Sequence, residues 1–117
     1  MASNIAIAIV AILHLLFLVL EMFFWTGPLG RRIFGLKREL AEQTATLAAN
    51  QGLYNGFLAA GLVWGLVSRE NSTAISIFFL SCVIIAGIFG ALTVKRSILF
   101  IQALPAAIAL TMVLAMA

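Results

Sequence analysis

Apolar residues fill the chain in four long runs, separated by three gaps that hold nearly all of its charge. The runs extend over roughly 3–25, 45–67, 73–94 and 97–116. Each supplies the about 20 predominantly apolar residues that a bilayer-spanning helix needs. The pattern predicts an all-α fold, an integral membrane four-helix bundle, with residues 1–117 forming one transmembrane domain. The first run reads as a span rather than a cleavable signal peptide. It lacks a basic start, it is too long, and no small-residue cleavage site precedes Gly27-Pro28.

The gap over 26–44 is long enough to have structure of its own. Pro28 suits the first position of a short helix, and Gly35 is placed to end it. From Leu36 the text LKRELAEQTATLAANQGLYNGF has no breaker before Gly52, and Leu36, Leu40 and Leu47 recur near helical spacing. Glu39, Glu42 and Gln43 favour helix. A second helix is therefore expected to start near Lys37 and to project from the membrane before entering it.

Composition agrees with the pattern. Of 117 residues, 64% are hydrophobic and 9% charged, against about 25% charged in an ordinary soluble domain. The net charge of +3 does not indicate nucleic acid, because the basic residues sit in short gaps between apolar runs instead of forming a basic face. They report topology. Arg31, Arg32, Lys37 and Arg38 occupy the first gap and Lys95 and Arg96 the third, while the second holds only Arg69. Six against one places the first and third gaps in the cytoplasm and both termini outside a bacterial inner membrane. Cys82 has no cysteine to pair with, so it does not report a redox compartment.

Against this apolar background the ionisable and amide groups stand out. With a rise of about 1.5 Å per residue, Glu21 lies roughly 6 Å and His14 roughly 16 Å in from Trp25. They are seven residues apart and share a helix face. On the same count Asn50, Gln51 and Asn55 lie about 7 to 15 Å above Ala45, with Tyr54 beside them, and Gln102 roughly 9 Å past Arg96. Polar groups of three helices thus fall in the cytoplasmic half of the membrane. An unsatisfied amide or carboxylate in lipid costs several kcal/mol, so these groups are expected to face inward and meet. Two readings stay open: amides that tie helices together, or a polar pocket, since an intramembrane ionisable group is a site hypothesis by default. The candidate ligand-binding residues are His14, Glu21, Asn50, Gln51, Tyr54, Asn55 and Gln102.

Small residues predict close helix packing. Gly52, Gly56 and Ala60 form one row, Gly61 and Gly65 another, and Gly87 and Gly90 lie in the third run. Pro105 should kink the fourth helix near the carbonyl of Ile101. Trp25 and Trp64 suit interfacial positions. One His, one Cys and a few carboxylates give no metal-ligand spacing. There is no phosphate-cradling glycine loop. Without an aspartate or a nucleophile elbow there is no sign of a hydrolase triad. No cofactor is indicated.

Two stretches, EMFFWTGPLGRRIFGL (21–36) and LAANQGLYNGFLAAGLVWGL (47–66), together with the four-run length, resemble a family of small bacterial membrane proteins known as domain of unknown function 1304, DUF1304. The resemblance extends over essentially the whole chain. It implies architecture and membrane localisation and assigns no activity. Three functions therefore compete. The first is binding of, or an enzymatic step on, a lipophilic small molecule in the polar layer; small four-helix enzymes of the microsomal glutathione transferase type have this size but carry a basic and acidic motif absent here. The second is a proton-coupled small transporter. The small multidrug resistance transporters share the length and a first-helix glutamate, but Glu21 lies near a helix end and the charge bias fixes one orientation. The third is a structural or assembly protein. Partners are expected to be membrane lipid and further copies of the chain in a homo-oligomer.

Overall fold

The computed structural model describes residues 1–116 and is helical almost throughout, with no strand among the described residues. Helix α1 covers Ala2–Phe23, α2 Pro28–Phe34, α3 Arg38–Val67, α4 Ser72–Thr93 and α5 Leu104–Met116. One π-helical turn, Leu99–Ala103, leads into α5.

Three helical segments are long and apolar enough to cross a membrane: Ala2–Phe23, Ser72–Thr93 and Leu99–Met116. The second expected span, 45–67, is not among them. Its residues lie in α3, which at 30 residues has ample length. Asn50, Gln51, Asn55 and the neighbouring Gly52 and Gly56 dilute its apolar character. Only 22% of each spanning window is buried within the chain. Apolar side chains such as Ile5, Ile9, Ile12 and Leu16 on α1 are exposed, an arrangement that is costly in water and favourable in lipid.

The gap between α1 and α3 follows its sequence signals closely. Pro28 opens α2, where its missing N–H costs no helix bond. Gly35 closes it in the left-handed region at φ 65°, its N–H reaching the carbonyl of Arg31. Helix α1 stops at Phe23 rather than continuing to Trp25, which lies in the turn that follows. Helix α3 begins at Arg38, one residue beyond the expected start. Gly30 has a steric role that the sequence alone does not reveal: a methyl group there would collide with the carbonyl oxygen of Phe24.

The chain divides into two compact units. One comprises Met1–Ile12 together with the chain from Leu58 onward. Its core joins Ile7, Val10 and Ala11 of α1, Leu62 of α3, Leu80 and Val83 of α4, and Ala106, Ala109 and Val113 of α5. Between apolar helices in lipid the driving force is close packing rather than water exclusion, and glycine makes it possible here. An added methyl at Gly87 of α4 would stand 2.7 Å from the backbone nitrogen of Ala103. Residues Gly61 and Gly65 similarly face Phe79 and Ser76.

In the same unit, the first turns of α1 and α4 and the last turns of α5 border a half-open recess of about 190 Å³, lined by Ser3, Asn4, Ser72, Thr73, Ser76 and Val113 among others. Pro105 produces a π turn rather than a simple kink. Proline has no N–H for the carbonyl of Ile101 and its ring crowds that position. The preceding turn widens, so that the N–H of Leu104 bonds the carbonyl of Leu99, five residues back. The other unit is Leu13–Phe57 and contains Glu21 and most of the other polar groups singled out above.

Candidate functional site

The Leu13–Phe57 unit is built on two stripes of small and polar residues. On α1, His14, Leu18 and Glu21 recur at spacings of three and four, so they project to one side. On α3, Ala41, Ala48, Gly52 and Asn55 are buried at the same kind of spacing. None of the four is bulky, and two glycines bring the backbones together. A methyl at Gly52 would lie 2.7 Å from Met22 Cγ and 3.2 Å from both Glu21 Cβ and the carbonyl oxygen of Leu18. One at Gly56 would lie 2.7 Å from Leu18 Cδ1.

At this close approach the amide of Asn55 donates from Nδ2 to Glu21 Oε1, at 2.5 Å. Asn55 is 5% exposed and Glu21 half-buried. The pairing is selective. Glu21 forms no ion pair among the described residues, where the only bridge is the exposed Arg38–Glu42 contact at 3.2 Å. Its second oxygen, Oε2, has no protein partner among them. Arg31, in the same unit, buries its Nε without a hydrogen-bond partner instead of reaching the carboxylate. The carboxylate is therefore held by a neutral donor, with one oxygen uncommitted.

A second tie closes the unit. The indole N–H of Trp25 donates to Thr44 Oγ1 at 3.0 Å, and the Thr44 hydroxyl donates to the carbonyl of Leu40 at 2.7 Å. The indole also packs against Phe34 with ring centroids 4.8 Å apart. Trp25 thereby fastens the turn after α1 to α3, a more specific role than an interfacial anchor. The aromatic spacing gave no hint of it, because the partner is nineteen residues away.

The other candidate residues differ in burial. His14 is fully buried and meets the Phe17 ring edge-on at 5.8 Å. Asn50, Gln51 and Tyr54 are exposed, contrary to the expectation that the whole polar layer turns inward. Helix geometry explains this: at about 100° per residue, Asn50 lies roughly 200° round α3 from the buried Ala48. Gln102 is half-buried in the π turn and belongs to the other unit. Residues that the sequence did not single out, Leu18 and Met22, pack against Gly52 and Gly56. Among the described residues no three of His, Cys, Asp and Glu are grouped to hold a metal ion. The chemistry on offer is hydrogen bonding at one carboxyl group.

The family model for the protein of unknown function DUF1304 matches residues 8–114. The chain is also similar to the uncharacterized protein YpaA of Lactococcus lactis subsp. lactis (strain IL1403), with 29% identity over 96 residues, 80% of this chain and 81% of that protein. No solved structure matches.

Proposed function

The chain belongs to the DUF1304 family of unknown function, and on that premise we propose that it is a four-span membrane protein that binds a lipophilic molecule with a cationic or hydrogen-bond-donating head at Glu21. The observation that carries this reading is the state of the carboxylate. It is joined to Asn55, has no cationic partner among the described residues, and keeps one oxygen uncommitted. A carboxylate inside a membrane is costly without a counter-charge, and a bound cation or donor would supply one. In this reading Glu21 accepts from the head group, Asn55 orients the carboxylate, and the glycine-lined contact keeps α1 and α3 close enough for both.

The recess at the start of α1 supports four crossings. It is bordered by the beginnings of α1 and α4 and by the end of α5, so these three points share one face of the membrane. A chain that leaves that face along α1 and returns to it by the start of α4 must cross back between them, and α3 is the helix available. An even number of crossings agrees with the charge bias that places both termini outside the inner membrane. The exposed amides of Asn50 and Gln51 on such a helix need hydrogen-bond partners in a bilayer, which supports assembly with further copies of the chain.

The test is binding of the lipophilic cation tetraphenylphosphonium to the purified protein in nanodiscs, beside Glu21→Gln. Glutamine keeps the size and an oxygen for Asn55 and removes the charge. Saturable binding that falls at least tenfold in the variant, with unchanged unfolding, supports the site. Equal binding by both proteins, or none by either, would leave the pair as a helix tie.

A further inference from the structure

On α3 the residues Gln43, Leu47, Asn50, Tyr54 and Phe57 recur at alternating spacings of four and three, the period of a seam between two supercoiled helices. From this stripe we infer that α3 pairs with α3 of a second copy of the chain, parallel and in register, about a two-fold axis along the membrane normal. The inference rests on α3 crossing the bilayer, as proposed above, and not on a ligand at Glu21.

Within the chain the stripe has no partner. At about 100° per residue its five positions fall in an arc of about 80°, on the side of α3 turned away from Gly52 and Asn55, which meet α1. All five are exposed, Leu47 at 72%, Tyr54 at 53% and Phe57 at 54%. Exposed leucine and phenylalanine are ordinary on a helix in lipid. Exposed amides and a phenol are not. Counted from Ala45, Asn50, Gln51 and Tyr54 lie roughly 7 to 14 Å into the membrane. Among the described residues no hydrogen bond engages the side chains of Thr46, Asn50, Gln51 or Tyr54. Acyl chains offer neither donor nor acceptor, so groups left this way in lipid are costly.

A second copy of the same helix supplies what lipid lacks. An amide is both donor and acceptor, so two Asn50 side chains across a two-fold axis satisfy each other, the N–H of one donating to the carbonyl oxygen of the other. The charge bias inserts every copy the same way round, so two α3 helices meet in parallel and each seam residue faces its own equivalent. The flanks agree with this register. Residues on opposite sides of a seam meet across it: Thr46 of one copy meets Gln51 of the other, hydroxyl to amide, and Leu53 of one copy meets Leu58 of the other. Polar thus faces polar, and apolar faces apolar. A slide of one heptad would set Asn50 of one copy against Phe57 of the other and leave its amide unanswered. A single polar seam residue fixes register in this way.

The experiment is oxidative cross-linking of single cysteines in native membranes, in a Cys82→Ser background. Leu47→Cys, Asn50→Cys and Tyr54→Cys probe the seam. Leu15→Cys on α1 and Ile85→Cys on α4, where the native residues are 45% and 67% exposed, serve as controls. Disulfide-linked dimers about fivefold or more abundant at all three seam positions than at both controls support the pairing, because only seam positions face their equivalents closely. Equal cross-linking at all five positions, stronger cross-linking at the controls, or adducts of the seam cysteines with a different protein would overturn it. The dimer association constant, from single-molecule photobleaching in dilute vesicles, is expected to fall about three- to twentyfold in Asn50→Leu with unfolding of the monomer unchanged; an unchanged constant would overturn the Asn50 register. Cysteines at positions 37 and 71 labelled from the same side of the membrane would overturn the pairing together with the four-span reading. Labelling from opposite sides with no dimers at the seam would overturn the pairing alone.

Discussion

Removing the amide of Asn55 tests the centre of the candidate site directly. Interhelical side-chain hydrogen bonds in membrane proteins are worth about 0.6 kcal/mol on average and about 1.7 kcal/mol at most. The Glu21–Asn55 bond should fall in the upper half of that range, because Asn55 is 5% exposed and water competes poorly for it. Asn55→Ala also gains helix propensity, up to about 0.7 kcal/mol. The variant alone should therefore lose no more than about 1 kcal/mol, a modest figure that conceals the bond. A double-mutant cycle with Glu21→Ala exposes it, since propensity terms cancel and only the interaction is left. The expected coupling is about 1 to 1.7 kcal/mol. Reversible unfolding in mixed micelles with increasing dodecyl sulfate, followed by tryptophan fluorescence, supplies all four stabilities. A coupling below about 0.3 kcal/mol, the scatter of independent sites, would show that the two side chains do not hold each other.

Three further outcomes are expected. Gly87→Ala should be destabilising by up to about 2 kcal/mol, overpacking of about 1 to 3 kcal/mol being offset by about 1 kcal/mol of helix propensity. At that position the obstruction is the Ala103 backbone at 2.7 Å. Gly90→Ala should be neutral or stabilising, because its neighbours are the Ile98 Cγ2 and Cδ1 atoms at 3.1 and 3.4 Å, the ends of a side chain that can turn away; chemical unfolding that reverses this order would refute the packing argument. For topology, Lys37→Cys in a Cys82→Ser background should react with an impermeant maleimide only from the cytoplasmic side and Asn71→Cys only from outside, and the opposite pattern would invert the orientation.

Much of the helical layout was legible because lipid imposes simple rules. A run of oily residues must be a helix, proline and glycine punctuate α2 at Pro28 and Gly35, and α3 starts within one residue of its expected position. The site was legible in part. Glu21 and Asn55 were visible as costly groups in one half of the membrane, although counting from the helix ends set them about 9 Å apart in depth. Which amides turn inward was not visible, because depth along a helix does not determine azimuth. The small residues Ala48 and Gly52 settle the azimuth of α3, and they leave Asn50 on the other side and Gln51 and Tyr54 exposed at its flanks. The Trp25–Thr44 bond and the recess between α1, α4 and α5 depend on contacts between residues far apart in sequence.

The π turn at Leu99–Ala103 also bears on how this chain can change length. Dropping a residue from an ordinary spanning helix swings everything beyond it by about 100°, taking the buried face out to lipid. A turn closed by a five-residue bond already holds one residue more than an α-helix would. Loss of one residue there returns the turn to regular α geometry while Ala106, Ala109 and Val113 keep their side facing α4. The Leu99–Met116 segment thus carries a spare residue at a defined place, and relatives one residue shorter between Ser97 and Leu104 can retain the same core.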